Sequence, residues 1–247
     1  VSIASRAINL FNRFTPPRSK VFQRLMSAIL FDMDGTLIDS EPIWLEAEIE
    51  VMAEVGCKWD QADQINCLGG PMDRTEKYMQ ERSNNIQPYG YFGKRLEEVM
   101  EIKLSEKLEL LPNALNLLKQ CQNLSIPMAL VTASTGKLMR SALTKFPKDI
   151  FAATISCDDV VKTKPDPAPY LLAAEKLSVD ITQCVVFEDS LTGIKSALGS
   201  GAQVVGIPHL VTMPSDPNLR VIDSLTQIDI QQVIAWYPFL NSRVAAK

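Results

Sequence analysis

The chain has 247 residues, of which 46% are hydrophobic and 22% charged, and its formal net charge is −4. This length allows one large domain or two smaller ones with a hydrophobic core, and the slight acidic excess argues against a nucleic-acid binder. Five cysteines without CxxC spacing indicate neither a disulfide framework nor a zinc site. No apolar run approaches the ~18 residues of a membrane span, so we expect no membrane partner.

The first 26 residues differ in composition from the rest of the chain. They contain five basic residues and no acidic residue, a composition similar to that of organelle transit peptides. The alternative is a surface arm ahead of a compact part that begins near Met26. A short basic segment alone is weak evidence of targeting, so we favour the arm and a cytoplasmic protein, with organelle targeting as the minor alternative.

A long helical region follows the first predicted strand, which covers residues 27–31. Trp44, Ala47 and Val51 recur on one face of the first helix, and helical spacing of apolar residues returns further along the chain. A Gly-Gly-Pro sequence separates the two parts. The sequence therefore predicts a small helical bundle at 42–108, inserted after the first strand.

Strands and helices alternate from about residue 111 onward. Short apolar runs predict strands at 126–131, 151–156, 184–187 and 202–207. The segments between them predict helices at 135–145, 169–177 and 191–198. This alternation is typical of a parallel sheet with right-handed crossovers. The predicted fold class is α/β, with a doubly wound parallel sheet.

Polar side chains follow four of the predicted strands. In chain order they are Asp32 and Asp34, Thr132 and Ser134, Lys164, and Glu188 and Asp189. Ligands of open α/β sheets bind in the crevice beyond the carboxyl ends of the strands, so we expect these side chains to lie close together. Several carboxylates in one crevice repel each other unless a cation lies between them, and hard oxygen ligands suit Mg²⁺.

This arrangement predicts a Mg²⁺ site that binds a phosphoryl group. Asp32, Asp189 and a backbone carbonyl near Asp34 are the expected ligands. Lys164 and the hydroxyl of Thr132 would hold phosphoryl oxygens, which leaves Asp32 free to attack the phosphorus in line.

Four motifs around these residues resemble those of the haloacid dehalogenase superfamily of phosphohydrolases. They are DMDGT, VTAS, KPDP and FEDS, in this order, and the resemblance runs from about residue 27 to about residue 233. It implies a Rossmann-like core at 27–41 and 109–247, with a mobile helical cap at 42–108. The basic extension at 1–26 lies outside it.

The resemblance also implies a role for individual residues. Asp32 resembles the nucleophile that forms an aspartyl-phosphate, and Asp34 resembles the general acid that then becomes the base. Asp189 resembles the side-chain metal ligand, joined by Asp32 and Asp34. Glu188 resembles either a further ligand or an acceptor for metal-bound water.

The remaining predicted site residues bind the substrate. Lys164 and Thr132 complete the catalytic set, and Gly35 and Ser134 bind phosphate. In the stretch LGGPMDRTE, Arg74 is the cap residue that we expect to bind a substrate hydroxyl or a distal phosphate, although a surface salt bridge stays an equal alternative.

The stretch DGTLIDSEP is most similar to the sugar-phosphate and polyol-phosphate phosphatases of the superfamily and to β-phosphoglucomutase. The mutase carries a histidine at the position of Trp44, so the tryptophan favours simple hydrolysis. His209, the only histidine in the chain, is interpreted as a loop or surface residue.

Two classes of function stay open. The first is a Mg²⁺-dependent phosphatase of a small phosphorylated metabolite, such as a sugar or polyol phosphate, with a phosphomutase as the alternative enzyme. The second is a catalytically idle binding module, against which the presence of Asp32, Asp34, Lys164 and Asp189 argues. We expect a monomer.

Overall fold

A parallel β-sheet forms the centre of the computed structural model, which describes residues 27–67, 70–208 and 212–241. Its strands are β1 (Ala28–Phe31), β2 (Met128–Val131), β3 (Ala153–Ile155), β4 (Cys184–Glu188), β5 (Gln203–Gly206) and β6 (Leu219–Val221). Their spatial order is β3-β2-β1-β4-β5-β6, and each neighbouring pair is parallel. The sheet grows outward from β1 in both directions, which confirms the predicted α/β, doubly wound class. The arm at 1–26 and His209 lie outside the described residues.

Helices pack on both faces of the sheet and fill the long connection between β1 and β2. They are α1 (Glu41–Glu54), α2 (Gln61–Ile65), α3 (Met72–Arg82), α4 (Tyr91–Lys107), α5 (Ala114–Asn123), α6 (Gly136–Leu143), α7 (Ala168–Leu177), α8 (Leu191–Ser200) and α9 (Ile230–Trp236). The first four follow one another without an intervening strand, as the helical spacing of the sequence predicts. None of the described helices is both long and apolar enough to cross a membrane.

β1 is buried on both faces, which explains its uninterrupted apolar sequence. Ile29 and Phe31 belong to one hydrophobic core, and Ala28 and Leu30 belong to the other, because successive side chains of a strand point to opposite faces. Phe31 stacks on Phe187 of β4 with the ring centroids 5.1 Å apart. This packing brings the residues that follow β1 and β4 together at the carboxyl edge of the sheet.

Two adjacent chain segments connect α1–α4 to the sheet. Ile38 and Leu110 form an antiparallel bridge between them. The amide of Asp39 donates to the carbonyl of Glu109 at 3.0 Å. These contacts support our proposal that the chain divides into a core and a cap, with the cap at 42–108.

The proposed cap also contacts the core through α4 and α6. The hydroxyl of Thr135, at the start of α6, donates to Oε1 of Glu97 at 2.5 Å. Lys137 of α6 forms an ion pair with Glu101 of α4 at 2.8 Å. These contacts hold α4 against the start of α6, which follows β2 at the carboxyl edge of the sheet.

Three elements were not predicted from the sequence: α5, β6 and α9. β6 has three residues, of which Arg220 and Val221 are exposed, so it has no apolar run to reveal it. It lies at the edge of the sheet and pairs with β5 only. Backbone hydrogen bonds to β5 form this edge strand, so its side chains show no apolar pattern from which a strand could be predicted.

Candidate active site

The tight turn after β1 brings Gly35 against a carboxylate from another strand. Gly35 has a φ of +74°, a conformation that side chains rarely adopt. A Cβ atom at this position would lie 2.1 Å from Oδ2 of Asp189. The turn therefore requires glycine both for its backbone conformation and for the approach of Asp189.

Lys164 links the carboxylates of two strands. Its ammonium group donates to Oδ1 of Asp32 at 2.5 Å, to Oε1 of Glu188 at 2.7 Å and to the carbonyl of Val131 at 2.8 Å. Burial alone would lower the pKa of Lys164, but the two neighbouring carboxylates outweigh burial and raise it above its ordinary value. Lys164 is therefore a permanent positive charge with all three of its hydrogen-bond donors in use.

Asp32 keeps one carboxylate oxygen without a hydrogen-bond partner. Its Oδ1 accepts from Lys164, whereas its buried Oδ2 has no partner in the structure. Burial and the nearby carboxylate of Glu188 raise the pKa of Asp32 to about 8, although Lys164 opposes the shift. A buried carboxylate oxygen without a partner is costly, so this atom is suited to receive a ligand.

Three carboxylates converge at this edge and offer a set of oxygen ligands. Single oxygen atoms from Asp32, Glu188 and Asp189 all lie within 4.8 Å of one another. Burial and the adjacent carboxylates also raise the pKa of Asp189 well above its ordinary value. A divalent cation between these oxygens would relieve their repulsion, so the residues present fit a Mg²⁺ ion.

The surroundings of Glu188 distinguish it from the other two carboxylates. Its Oε1 accepts from Lys164 and from the hydroxyl of Tyr170 at 2.5 Å, and its Oε2 accepts from the amides of Asp189 and Ser190 and from the hydroxyl of Ser190. A Cβ atom on Gly193 would overlap this carboxylate, at 1.8 Å from Oε1. Glu188 is thus saturated with donors, which favours a role in orienting Lys164 over direct metal binding.

The side chain of Asp34 lies among hydroxyl groups and outside the three-carboxylate cluster. Ser40 donates to its Oδ1 at 2.8 Å, while Thr132 and Ser134 donate to its Oδ2 at 3.1 Å and 2.9 Å. The predicted phosphate-binding hydroxyls therefore contact Asp34 in this structure. Ser40 was not predicted, although it stands at the N-cap position of α1 and makes no capping hydrogen bond with its side chain.

One cavity joins these core residues to the cap. The core contributes side chains that include Asp32, Asp34, Ser134, Lys164 and Asp189 to its lining. The segment from α1 to α3 contributes Glu41, Trp44, Glu48, Gln64, Cys67, Gly70, Met72 and Thr75. The sequence analysis singled out only Trp44 among these residues.

Glu41 and Glu48 are the two carboxyl groups that α1 contributes to this lining. Burial and the adjacent carboxylates, Asp34 first among them, raise the pKa of Glu41 to about 8. Burial raises the pKa of Glu48 to about 7, although the indole N–H of Trp59 donates to its Oε2 at 2.9 Å. The sequence indicates that these side chains lie together, because Glu41, Trp44 and Glu48 have the spacing of one helix face.

Arg74 lies at the edge of the cavity and does not line it. Its side chain is exposed, and a Cβ atom on Gly70 would lie 2.5 Å from the carbon of the guanidinium group. Gly70 itself is a lining residue. The predicted contact between Arg74 and the substrate stays a prediction.

Comparisons with known proteins identify the family of this chain. The model of the haloacid dehalogenase-like hydrolase family matches residues 29–207. Hexitol phosphatase B of Escherichia coli is 31% identical over 224 residues, which cover 85% of this chain and 98% of that protein. Fructose-1-phosphate phosphatase YqaB of Escherichia coli is 31% identical over 183 residues, which cover 73% of this chain and 96% of that protein.

A solved structure supports the same assignment. The crystal structure of CbbY from Rhodobacter sphaeroides in complex with phosphate superposes with a TM-score of 0.72 at 25% identity, over 82% of this chain and 96% of that chain. The family predicted from the four motifs is confirmed. This chain belongs to the haloacid dehalogenase-like hydrolases and is a phosphatase.

Proposed function

We propose that the protein is a Mg²⁺-dependent phosphomonoesterase that hydrolyses a small sugar or polyol phosphate through an aspartyl-phosphate on Asp32. The observation that carries this proposal is the state of the Asp32 carboxylate. Lys164 donates a hydrogen bond to Oδ1 of Asp32, whereas Oδ2 is buried and has no hydrogen-bond partner. Asp32 itself lines the cavity. This arrangement suits a nucleophile that is oriented before the substrate arrives.

Asp32 and Asp189 are the side chains that would hold the Mg²⁺ ion, together with a backbone oxygen near Asp34. The bound ion would supply positive charge to the phosphoryl oxygens. Glu188 would keep Lys164 directed at Asp32, as its contacts in the structure support.

The proposed reaction has two steps on the same aspartate. An oxygen of Asp32 forms a bond to phosphorus while the bond between phosphorus and the ester oxygen breaks, and Asp34 gives a proton to the leaving alkoxide. Asp34 then takes a proton from a water molecule, whose oxygen attacks the phosphorus of the aspartyl-phosphate. The bond between phosphorus and Asp32 breaks, inorganic phosphate leaves, and both aspartates return to their starting states.

Hydroxyl groups orient Asp34 for this exchange of protons. Ser40 approaches one of its oxygens, and Thr132 and Ser134 approach the other. We propose that Thr132 and Ser134 also bind phosphoryl oxygens once the substrate is present, because Ser134 lines the same cavity.

The phosphomutase is the less well supported enzyme. Trp44 lines the cavity at the position where the mutase carries a histidine, and an indole ring cannot exchange a proton with the substrate near neutral pH. An idle binding module is also disfavoured, because a buried pair of Lys164 with Asp32 is costly to maintain without a function.

A monomeric protein in the cytoplasm stays our proposal, and size-exclusion chromatography with light scattering tests its oligomeric part.

The test is phosphate release from a panel of hexose, pentose, polyol and nucleoside monophosphates, with Mg²⁺ and with a chelator. We expect metal-dependent release from a few compounds and none from the Asp32→Asn variant. Trapping of radiolabelled phosphate on the denatured wild-type protein, absent in the variant, would identify the aspartyl-phosphate. Release that persists in Asp32→Asn would refute the nucleophile.

A further inference from the structure

One face of α1 forms part of the wall of the active-site cavity. Glu41, Trp44 and Glu48 follow one another at the spacing of successive helical turns, and all three line the cavity that also contains Asp32 and Lys164. Asp32 and Lys164 belong to the core side, where the phosphoryl group is proposed to bind. The remainder of the substrate, which becomes the leaving group, therefore meets the cap side.

Donors within the cap hold both glutamates in place. Nε2 of Gln64 donates to the backbone carbonyl of Glu41 at 2.8 Å and lies 3.4 Å from its Oε2. The indole N–H of Trp59 donates to Oε2 of Glu48 at 2.9 Å, and both of these residues are buried. Groups fixed in this way lose little entropy when a ligand binds, so they are preorganised for polar contacts.

Carboxyl groups greatly outnumber cations in the cavity. Among the described residues, the lining includes the carboxyl-bearing residues Asp32, Asp34, Glu41, Glu48 and Asp189, and its one cation is Lys164. Lys164 is already bound to Asp32 and Glu188. A carboxyl group offers no positive charge in either protonation state, so the described lining side chains of α1–α3 supply no charge that would balance an anion on the leaving group. Arg74 stands at the edge of the cavity, outside this lining.

Trp44 adds an apolar surface between the two glutamates. It is half-buried, and it packs against the hydrophobic core that α1–α4 share with one face of the sheet while it lines the cavity. An indole ring can cover the C–H groups of a carbon chain while the flanking carboxyl groups bind its hydroxyls. A polyhydroxylated carbon chain presents both kinds of surface.

We propose that Glu41, Trp44 and Glu48 form a leaving-group subsite that selects neutral polyhydroxylated groups and excludes groups with a second phosphate or a carboxylate. The inference rests on the proposed function, because it concerns the alcohol part of the same ester. The glutamate side chains accept hydrogen bonds from the substrate hydroxyl groups, and the same two side chains repel anions or leave them unpaired.

The test is a binding measurement that needs no turnover. Isothermal titration calorimetry on the Asp32→Asn protein with Mg²⁺ compares sorbitol 6-phosphate, fructose 1,6-bisphosphate, phosphoglycolate and inorganic phosphate. We expect sorbitol 6-phosphate to bind at least tenfold more tightly than inorganic phosphate, and the two compounds with an additional anionic group to gain nothing over inorganic phosphate.

The decisive variant combines Glu41→Gln and Glu48→Gln in the same protein. The titration is made at pH 9, above the pKa values of both groups. Glutamine then keeps the size of each side chain and removes its charge, so the preference for sorbitol 6-phosphate over the bisphosphate should fall by about tenfold or more. The matched control, Glu46→Gln with Glu50→Gln, removes the same charge from exposed positions of the same helix and should leave this preference unchanged.

Three results would overturn the proposal. The first is an unchanged preference in the Glu41/Glu48 variant, and the second is an equal change in the Glu46/Glu50 control, which would indicate only the long-range effect of charge. The third is tightest binding of the bisphosphate, which would assign the distal group to Arg74.

Phosphate release by the wild-type protein is measured separately. Selective binding without release contradicts the proposed phosphatase activity, and release without selective binding contradicts the proposed subsite.

Discussion

The ammonium group of Lys164 lies 2.5 Å from Asp32 and 2.7 Å from Glu188, and only 3% of its side chain is exposed. The two acids follow different strands, so this single side chain ties the end of β1 to the end of β4. A buried charge pair of this kind is expensive to form and far more expensive to break by removing one partner. The same contact therefore serves both the stability of the core and the orientation of the proposed nucleophile.

We predict that Lys164→Met lowers both stability and activity. The substitution leaves two buried carboxylates without their cation, which should reduce the free energy of unfolding by about 3–5 kcal/mol. Urea denaturation measures the loss, and we expect phosphate release to fall at least 100-fold at temperatures where the variant is folded. Lys176→Met is the control, because Lys176 is exposed and its ion pair with Asp159, at 3.8 Å, should contribute below about 1 kcal/mol. Equal losses for the two variants would contradict the prediction.

Asp34→Asn should distinguish substrates by their leaving groups. An alkoxide needs a proton as the ester bond breaks, whereas an aryl oxide leaves without much protonation. The variant should therefore lose more kcat with a hexitol phosphate than with p-nitrophenyl phosphate, by about 100-fold. Steady-state kinetics on both esters provides the measurement. If both rates fell by the same factor, Asp34 would not be the acid.

Gly35→Ala should impair metal binding in addition to stability. Gly35 and Gly56 both have a φ of +74°, but a Cβ atom would lie 2.1 Å from Asp189 at Gly35 and would meet nothing within 4 Å at Gly56. Gly56→Ala therefore isolates the backbone strain, about 1–2 kcal/mol. We expect Gly35→Ala to lower the free energy of unfolding by more than Gly56→Ala does. The Gly35→Ala protein should also need at least tenfold more Mg²⁺ for half-maximal phosphate release. A Mg²⁺ requirement raised equally in both variants would exclude a local effect on Asp189.

Glu48→Gln should change how stability depends on pH. Burial raises the pKa of Glu48 to about 7, above its unfolded value of 4.5, so the folded state keeps this proton while the unfolded state loses it. The wild-type free energy of unfolding should therefore fall as the pH rises from about 4.5 to 7. The variant lacks this group, so its stability relative to wild type should improve by up to about 3 kcal/mol over this range.

Urea denaturation at pH 5 and pH 8 tests this difference. Glu46→Gln is the control on the same helix, because hydrogen bonding to Lys107 lowers the pKa of Glu46 and places its titration below the tested range. Its difference from wild type should stay constant between the two pH values. A Glu48→Gln difference that is also constant would show that Glu48 is ionised throughout.

Only the tertiary structure revealed that Glu41 and Glu48 line the cavity. Glu48 shares a helix face with Glu41 and Trp44, but only the structure shows that it is buried and that its carboxyl group accepts a hydrogen bond from the indole N–H of Trp59. Ser40 similarly follows the ordinary pattern of an N-cap, but its hydroxyl contacts Asp34. Such contacts join separate elements and are invisible to periodicity within one helix.

The sequence by itself predicted the α/β class, every strand of the sheet except β6, and the family. Buried parallel strands need continuous apolar runs, and the motifs that contain Asp32, Asp34, Lys164 and Asp189 identify the family. The tertiary structure decided the pairing of these groups. Lys164 and Asp32 are 132 positions apart in the chain. The loop between β3 and α7 places Lys164 against the end of β2, and the pairing of β2 with β1 brings it within hydrogen-bonding distance of Asp32. Glu41 and Glu48 line the cavity, whereas Arg74 lies at its edge. These positions depend on how the helices between β1 and β2 pack over the sheet, which the sequence does not show.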